Sequence, residues 1–375
     1  METRGLTYAY PNGTVALREI SLSIPAGKKT VVLGSNGSGK STLFLHFNGV
    51  LKPKQGEVYY SGRKVDYGKR SLVELREQVA VVLQNPDDQI FSTTVEEDVA
   101  FGPLNLNLSK EEVERRVDEA LFLVDLEDVR ERPTQQLSFG QRKRIALAGA
   151  LAMKPKVLMM DEPTAGLDSR MVHELLELAD ELNQKGLTVI MSTHDVETAY
   201  EWADEVQILH QGRLEFSGLP EDFFLDERKV HSLGLVRPTL YDMNLRLKGR
   251  TPVAGGATPR DLEEMLQKLA PSKVVVGGIT LVEVDGSEPK ARAAAEALRN
   301  WRSGRSGVYG TRARRLAHDS SLPVDYHFNA LENCVRAASE GVDSLLLVDV
   351  DLKQLVRRRL QHLDEGFGLR IPLHE

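Results

Sequence analysis

The 375-residue sequence contains one cysteine, Cys334, which excludes internal disulfide bonds and zinc sites built from cysteines. It also lacks an uninterrupted run of the roughly 18 apolar residues that a membrane-spanning helix needs. The opening METRGLTYAY has no apolar core of the kind found in signal peptides. These absences predict a cytoplasmic protein in which Cys334 is a small buried residue of a helix.

The composition is that of an ordinary soluble protein, with 41% hydrophobic and 27% charged residues. The net charge of -7 argues against broad, non-specific nucleic-acid binding, so no nucleic-acid partner is expected. A length of 375 residues predicts two or more domains, because single domains centre on about 150 residues.

Strand-like runs alternate with amphipathic helices along residues 1–225, which predicts an α/β layer structure. Residues 226–256 are rich in proline and glycine, and this composition predicts an irregular linker. A second alternation of strands and helices follows over residues 257–375. It predicts a smaller C-terminal α/β domain of ordinary size.

GSNGSGKS, residues 34–41, fits the P-loop pattern G-x-x-x-x-G-K-[ST] and stands between an apolar strand and a helix. Glycines in such a loop let backbone N–H groups point at phosphate oxygens, and the helix N-terminus adds a favourable dipole. Lys40 is expected to bridge the β- and γ-phosphates, while the Ser41 hydroxyl ligates Mg²⁺. The motif therefore predicts a nucleoside triphosphate site with a magnesium ion.

VLMMDE, residues 157–162, predicts an apolar strand that is buried on both faces and ends in two carboxylates. Asp161 is expected to hold the metal ion, and Glu162 to polarise an attacking water. Many strands end in acidic residues, so this assignment depends on the P-loop that precedes it.

With these motifs in this order, residues 1–225 resemble the ATP-binding subunit of an ABC transporter. The resemblance implies an ABC-type ATPase domain with a helical subdomain, and hydrolysis of ATP with Mg²⁺. Tyr10 in YAYPNG resembles the aromatic residue that stacks on adenine. Gln84 in VVLQNP resembles the loop glutamine that senses the γ-phosphate, Mg²⁺ and the membrane partner, and His194 in STHD resembles the switch histidine at the γ-phosphate.

The motifs and the resemblance together define three sets of predicted site residues. The catalytic set is Lys40, Glu162 and His194. The nucleotide-binding set is Tyr10, Gly34, Ser35, Asn36, Gly37, Ser38, Gly39, Lys40, Ser41, Thr42, Gln84, Ser138, Gly140, Gln141 and Asp168. The magnesium set is Ser41, Gln84 and Asp161.

LSFGQ, residues 137–141, resembles the signature loop of the same family, which reaches across a dimer to the ATP held by the other subunit. The resemblance therefore implies a homodimer, or a heterodimer with a second ABC ATPase. Phe139 stands where such loops often have glycine. Its ring is expected to point away from the phosphates if its φ is negative.

The segment NPDDQIFSTTVEEDVAFGPLNLNLS, which follows Gln84, resembles energy-coupling-factor ATPases, especially those for cobalt and nickel. In that family the region faces a transmembrane coupling subunit, which works with a substrate-binding membrane subunit. Within Asp87–Gly102 the apolar residues are expected either to form a docking surface or to pack on their own domain. The apolar residues in question are Ile90, Phe91, Val95, Val99 and Phe101.

These features predict the ATPase of an energy-coupling-factor transporter that imports cobalt or nickel, bound peripherally to the cytoplasmic face of the cell membrane. Two alternatives stay open: an importer of a vitamin, and a soluble ABC-type regulatory ATPase with a ligand-sensing tail. An ABC ATPase of translation is disfavoured because only one set of motifs occurs. A DNA-repair ABC ATPase is disfavoured because no long heptad run is present.

The C-terminal domain resembles no family and is predicted to be regulatory or to support a dimer. Its stretch WRSGRSGVYGTRARR, residues 301–315, contains five arginines before and within a helix. These arginines are consistent with binding of an anionic group at the helix start, but the pattern favours a solvated basic loop.

Overall fold

The computed structural model describes residues 1–106, 108–247, 257–270 and 276–375. The strands are β1 (Glu2–Ala9), β2 (Val15–Ser23), β3 (Lys29–Leu33), β4 (Gln55–Tyr60), β5 (Arg63–Lys64), β6 (Val79–Val82), β7 (Val157–Asp161), β8 (Thr188–Thr193), β9 (Glu205–His210), β10 (Arg213–Gly218), β11 (Ile279–Val284), β12 (Gly304–Tyr309), β13 (Asp343–Asp349) and β14 (Leu373–His374).

The α-helices follow the same chain order. They are α1 (Lys40–Phe47), α2 (Lys69–Gln78), α3 (Val95–Leu104), α4 (Lys110–Leu123), α5 (Phe139–Ala152), α6 (Ser169–Gln184), α7 (Val196–Trp202), α8 (Pro220–Phe224), α9 (Glu227–Ser232), α10 (Thr239–Leu247), α11 (Leu262–Leu269), α12 (Glu288–Asn300), α13 (Thr311–Asp319), α14 (Ala330–Ser339) and α15 (Lys353–Phe367).

The chain forms two compact units. The first unit comprises Met1–Leu167 and Gly186–Arg237, and the second comprises Asp168–Lys185 and Pro238–Glu375. Helix α6 therefore belongs to the second unit although its sequence lies between two strands of the first. The predicted domain limits at 225 and 257 stay predictions.

The first unit is organised around a sheet with the strand order β10-β9-β3-β8-β7-β6. Its strands run parallel except for β10, which pairs with β9 in antiparallel register. Every residue of β7 and β8 is buried, as expected for parallel strands that are covered on both faces. The α/β architecture predicted for this part of the chain is confirmed.

A second sheet of the first unit, in the order β2-β1-β4-β5, is antiparallel and was not predicted as a separate layer. Its inward side chains, Leu6, Leu17 and Ile20 among them, share one apolar core with α1 and with the parallel sheet. The irregular pairing of β1 explains why its period-2 pattern is weak, since the register with β2 shifts at three points.

The second unit contains a parallel sheet in the order β12-β13-β11-β14. Helices α12 and α13 pack on one face and α14 and α15 on the other, each pair around its own apolar cluster. Cys334 is buried in one of these clusters, where desolvation raises the pKa of its thiol to about 12. The predictions of a C-terminal α/β fold and of a buried structural cysteine are both confirmed.

The interval 226–256, predicted to be irregular, contains helices α9 and α10. The prediction was wrong there because it relied on the prolines and glycines and did not consider the helix-capping residue and the apolar residues that become buried. Asp226 caps α9 by accepting from Lys229 N at 3.0 Å, and Val230 and Tyr241 are buried. Residues 248–256 lie outside the described residues.

Helix α6 contributes two glutamates to the second unit. Glu181 accepts hydrogen bonds from Thr311 N at 3.2 Å and from Thr311 Oγ1 at 2.8 Å, at the start of α13. Glu177 accepts from Asn329 N at 2.6 Å, one residue before α14 begins. Carboxylates at helix N-termini accept hydrogen bonds from backbone N–H groups that have no partner within the helix, and they interact favourably with the helix dipole.

Acidic partners surround the arginine-rich stretch 301–315. Arg312 lies 3.0 Å from Asp351, Arg305 3.3 Å from Asp325, and Arg314 3.5 Å from Glu177. The N–H groups of Arg312 and Ala313 donate to the buried carboxylate of Asp349 at 2.9 and 2.7 Å. The start of α13, considered above as an anion site, thus binds carboxylates of the same chain.

Candidate active site

The P-loop joins β3 to α1 and has a backbone that only glycine accommodates at two positions. A Cβ on Gly34 would lie 2.3 Å from Leu209 O, and a Cβ on Gly39, whose φ is +106°, would lie 2.7 Å from Ala16 O. Helix α1 has no side-chain cap at Gly39. Among the described residues Ser38 Oγ is buried and has no hydrogen-bond partner. This cradle of uncapped N–H groups fits a phosphate group.

Lys40 turns back over the loop. Its Nζ donates to Gly34 O at 2.7 Å and to Ser35 O at 3.2 Å, and it lies 3.1 Å from Glu162 Oε1. Both side chains of this ion pair are about 5% exposed. Water is therefore largely excluded, and the charges of the pair interact strongly.

The two acids at the end of β7 have different surroundings. Asp161 accepts a short hydrogen bond from the Ser192 hydroxyl of β8. Glu162 has a φ of +45°, a left-handed conformation that costs a non-glycine residue roughly 1–2 kcal/mol. Its N–H donates to Ser192 Oγ at 3.0 Å and to Ser192 O at 3.2 Å, which hold it in this conformation.

His194 follows β8 and completes the cluster, because its Nδ1 lies 2.9 Å from Glu162 Oε2. Strands β3, β8 and β7 are neighbours and parallel, so their carboxyl ends lie side by side. The sheet thereby brings together the predicted catalytic residues Lys40, Glu162 and His194, with Glu162 between the lysine and the histidine.

The predicted contacts Tyr10, Ser41 and Gln84 belong to the first unit. Tyr10 is half-buried and its hydroxyl lies 3.0 Å from Thr42 Oγ1. Ser41 and Gln84 are both exposed. Asn36 and Gly37, in the P-loop, are exposed as well, so the face of the loop that would meet a nucleotide is open to solvent.

The signature loop starts α5 with a capping box. Ser138 Oγ accepts from Gln141 N at 3.2 Å, and Gln141 Oε1 accepts from Ser138 N at 3.0 Å. Phe139 is the first residue of α5 and has a right-handed helical conformation, as its predicted orientation requires. Asp168 belongs to the second unit, where it caps α6 by accepting from Met171 N at 2.9 Å.

Comparison with known proteins agrees with this geometry. Residues 17–165 match the ABC transporter family. The chain is 37% identical, over its full length, to the energy-coupling factor transporter ATP-binding protein EcfA2 of Methanospirillum hungatei, 95% of which is covered. It is 47% identical to EcfA of Methanocaldococcus jannaschii over 69% of this chain and 93% of the relative. The chain belongs to the energy-coupling-factor family of ABC transporter ATP-binding subunits.

Solved structures support this membership. CbiO1 of Clostridium perfringens, part of the ABC transporter complex CbiONQ, is 41% identical with a TM-score of 0.56, over 66% of this chain and 95% of that one. A dimeric bacterial ABC transporter cassette is 30% identical with a TM-score of 0.55, over 58% of this chain and 98% of that one. The first unit thus has the P-loop ABC ATPase fold, as predicted. The chain is an ATP-binding and ATP-hydrolysing subunit of an energy-coupling-factor transporter.

No helix within the described ranges is long and apolar enough to cross a membrane. The family resemblance predicts that the segment Asp87–Gly102 faces a membrane subunit.

Only part of that segment faces solvent. Val95 and Val99 are fully buried in the first unit, so for these two residues the second alternative, packing on their own domain, holds. Phe91 and Phe101 remain 65% and 50% exposed and meet edge to face, with ring centroids 4.5 Å apart. Leu104 beside them is 64% exposed. We call Phe91, Phe101 and Leu104 the aromatic patch.

Two polar residues that shape this region escaped the sequence reasoning. Asp98 is buried and accepts from Phe91 N at 3.0 Å and Ser92 N at 2.9 Å. Its position three residues after buried Val95 was the available signal, since it places both on one helix face. Gln89 accepts from Leu83 N at 2.9 Å and donates to Ala146 O at 3.2 Å, which fixes the loop bearing Gln84.

Proposed function

We propose that the chain hydrolyses ATP at the Lys40–Glu162–His194 cluster to power uptake of a transition-metal ion, cobalt or nickel, by an energy-coupling-factor transporter. The observation that carries the catalytic assignment is the position of Glu162. Its carboxylate lies at the ends of adjacent parallel strands between a lysine at 3.1 Å and a histidine at 2.9 Å. Phosphoryl transfer needs a positioned water, a positioned γ-phosphate and positive groups around it.

In this proposal Glu162 accepts the proton of the attacking water as general base, and His194 orients Glu162 and contacts the γ-phosphate. Lys40 leaves its ion pair with Glu162 to bind the β- and γ-phosphates, so nucleotide binding also frees the carboxylate for the water. Tyr10 stacks on adenine. Ser41, Gln84 and Asp161 provide the oxygen ligands that suit Mg²⁺, which would neutralise charge on the phosphate oxygens.

The chain works as a dimer, with a second copy or with a related ATP-binding chain. The capping box of Ser138 and Gln141 fixes the start of α5, and the signature loop contributes the Ser138 hydroxyl and the Gly140 N–H to the ATP of the other subunit. The similarity to a dimeric ABC transporter cassette supports this arrangement. Asp168 then lies near the subunit boundary.

The aromatic patch binds the transmembrane coupling subunit on the cytoplasmic face of the membrane, and a second membrane subunit binds the solute. Exposed aromatic pairs of this kind are unusual on a monomer surface and typical of interfaces. Arg142 of α5 lies 2.8 Å from Asp87, and this ion pair connects the segment bearing the patch to the signature helix. The metal ion is proposed from the resemblance of residues 85–109 to cobalt and nickel ATPases.

Glu162→Gln tests the catalytic assignment. The amide keeps the size of the side chain but cannot take a proton, so turnover should fall on the order of a hundredfold or more. ATP binding should persist, and ATP should drive stable dimers that gel filtration detects. Wild-type hydrolysis by the variant would remove Glu162 from the role of base.

Transport assays test the solute. The chain is co-expressed with candidate membrane subunits from the same organism, purified in mild detergent and reconstituted in vesicles. ATP-dependent uptake of Co²⁺ or Ni²⁺, abolished by Glu162→Gln, is the expected result. Uptake of a vitamin instead would replace the metal, and a chain that never co-purifies with a membrane subunit would favour a soluble regulatory ATPase.

A further inference from the structure

Lys143, in the second turn of α5, extends its ammonium group to the loop that follows Glu162. Its Nζ donates to Ala165 O at 2.6 Å, to Pro163 O at 2.9 Å and to Glu162 O at 3.3 Å. An ammonium group has three N–H donors and no acceptor, so three carbonyls match its full capacity. Lys143 is 8% exposed, and these bonds replace the water that burial removes.

The ring of Phe139, one turn earlier on α5, covers this contact. The Lys143 ammonium lies 5.4 Å from the centroid of the ring, within the range of a cation–π interaction. The ring also packs against Gly166, because a Cβ on that glycine would lie 3.0 Å from Phe139 Cε1. Phe139, Lys143 and the backbone of Glu162–Gly166 thus form one contact, which we call the signature clamp.

The charge on Lys143 is maintained against burial. Desolvation lowers the pKa of its ammonium to about 8, and the nearby Glu162 carboxylate acts in the opposite direction. The loop carbonyls stabilise the charged form at close range. A buried cation with three backbone acceptors is a rigid support, since any displacement of the loop would leave polar groups unpaired.

The clamp holds the backbone of the proposed base from one side while β8 holds it from the other. Glu162 N donates to Ser192, and Glu162 O accepts from Lys143 and from Ala165 N at 3.2 Å. The left-handed backbone of Glu162, with φ +45°, directs its side chain towards Lys40 and His194. Such a conformation persists only where surrounding contacts fix it.

We propose that Lys143 is a positioning residue for ATP hydrolysis, which acts by holding the Glu162–Ala165 backbone so that the Glu162 carboxylate meets the attacking water. The inference rests on the proposed role of Glu162. The signature helix then has a second role within its own subunit. Helix α5 starts at the loop that would meet the partner's ATP. Because the signature clamp joins α5 to the backbone of Glu162, a shift of this helix would also move the proposed base of the same chain.

Lys143→Met in the full chain tests the proposal, because methionine keeps the length of the side chain and removes its donors. The turnover number for ATP with Mg²⁺ should fall about 10- to 100-fold, the scale expected when a reacting group is misplaced by about 1 Å. The dissociation constant for ATP should stay within about threefold, since Lys143 makes no contact with the P-loop. Lys143→Arg, which restores a cation with several donors, should recover part of the lost turnover.

Arg144→Met is the matched control, because Arg144 lies on the same helix and donates to a different carbonyl, Val124 O, at 3.1 Å. Its turnover number should stay within about twofold of wild type. If Lys143→Met does not fold, Lys143→Gln takes its place, because its shorter, neutral side chain can satisfy at most two of the three carbonyls and its turnover should also fall. Wild-type turnover in a folded Lys143→Met, or in Lys143→Gln where it replaces it, overturns the proposal, as do equal losses of ATP affinity and turnover.

The Glu162→Gln variant separates the two hypotheses. If Glu162→Gln is slow and Lys143→Met adds no further loss to it, the two residues act as one unit, as proposed. If Glu162→Gln is slow and Lys143→Met alone hydrolyses ATP normally, only the Lys143 inference fails. If Glu162→Gln hydrolyses ATP normally, the proposed base itself is wrong.

Discussion

Truncation of the two phenylalanines of the aromatic patch should weaken binding to the membrane subunits much more than it lowers the stability of the chain. Phe91→Ala combined with Phe101→Ala removes two rings that expose 65% and 50% of their surface. With roughly 200 Å² for each phenylalanine, the two rings offer about 230 Å² of apolar area to a partner. At about 25 cal/mol per Å² its burial is worth at most about 6 kcal/mol.

Only part of this maximum free energy contributes to affinity, because association costs translational freedom and orders side chains. We expect the double variant to bind the membrane subunits about 2–4 kcal/mol more weakly, which is roughly 30- to 1,000-fold in Kd. The free energy of unfolding should fall by only about 1 kcal/mol, the worth of the edge-to-face contact between the rings. Basal ATP hydrolysis by the isolated chain should not change.

The assay is co-purification with the membrane subunits in mild detergent, followed by titration of the complex. Val73→Ala is the matched control, since Val73 is 48% exposed on α2, away from the patch. Val99→Ala is the opposite control, because Val99 is fully buried and should lower stability before it affects docking. Wild-type affinity in the double phenylalanine variant would refute the docking surface.

Two further predictions concern stability. Gly166→Ala and Gly186→Ala both place a Cβ at positive φ, but only the Cβ at position 166 contacts Phe139. Denaturant unfolding should therefore show that Gly166→Ala is the more destabilising by about 1 kcal/mol. Equal losses of unfolding free energy would contradict the clamp geometry. Burial, opposed mainly by Arg314, raises the pKa of Glu177 to about 7 from 4.5. Since the folded chain binds this proton more tightly, its stabilising contribution is present below pH 4.5 and is lost as the pH rises through 7. The free energy of unfolding of Glu177→Gln should therefore gain about 2.5 kcal/mol relative to wild type between pH 5 and pH 8. A difference between the two unfolding free energies that does not change with pH would contradict this.

Features whose position depends on local sequence were predictable. The P-loop, the strand VLMMDE and the histidine after β8 each combine a glycine or polar residue with an apolar strand, and parallel pairing then places the strand ends together. The cap of α4 by Ser109, which accepts from Glu112 N at 3.3 Å, follows from the same short-range logic.

Residues whose role depends on distant partners were not predictable. Lys143 looks like one more basic residue of a charged helix start, and only the fold shows that its acceptors lie about 20 residues downstream. Asp98 looks like a surface acid in the first turn of α3, where acidic residues are common. Lys143 and Asp98 are both buried in the folded chain, and burial depends on the tertiary structure and not on the neighbouring sequence.

Helix α6 has a consequence for the order in which the chain is made. The partner of Glu181, Thr311, lies 130 residues downstream, so a ribosome needs roughly 10 s to supply it after α6 has been synthesised. During that interval the carboxylates of Glu177 and Glu181 lack their partners Asn329 and Thr311. The rest of the unit to which α6 belongs has not yet been synthesised. The contacts of α6 with Thr311 and Asn329 therefore form only after the C-terminal part of the chain has been synthesised.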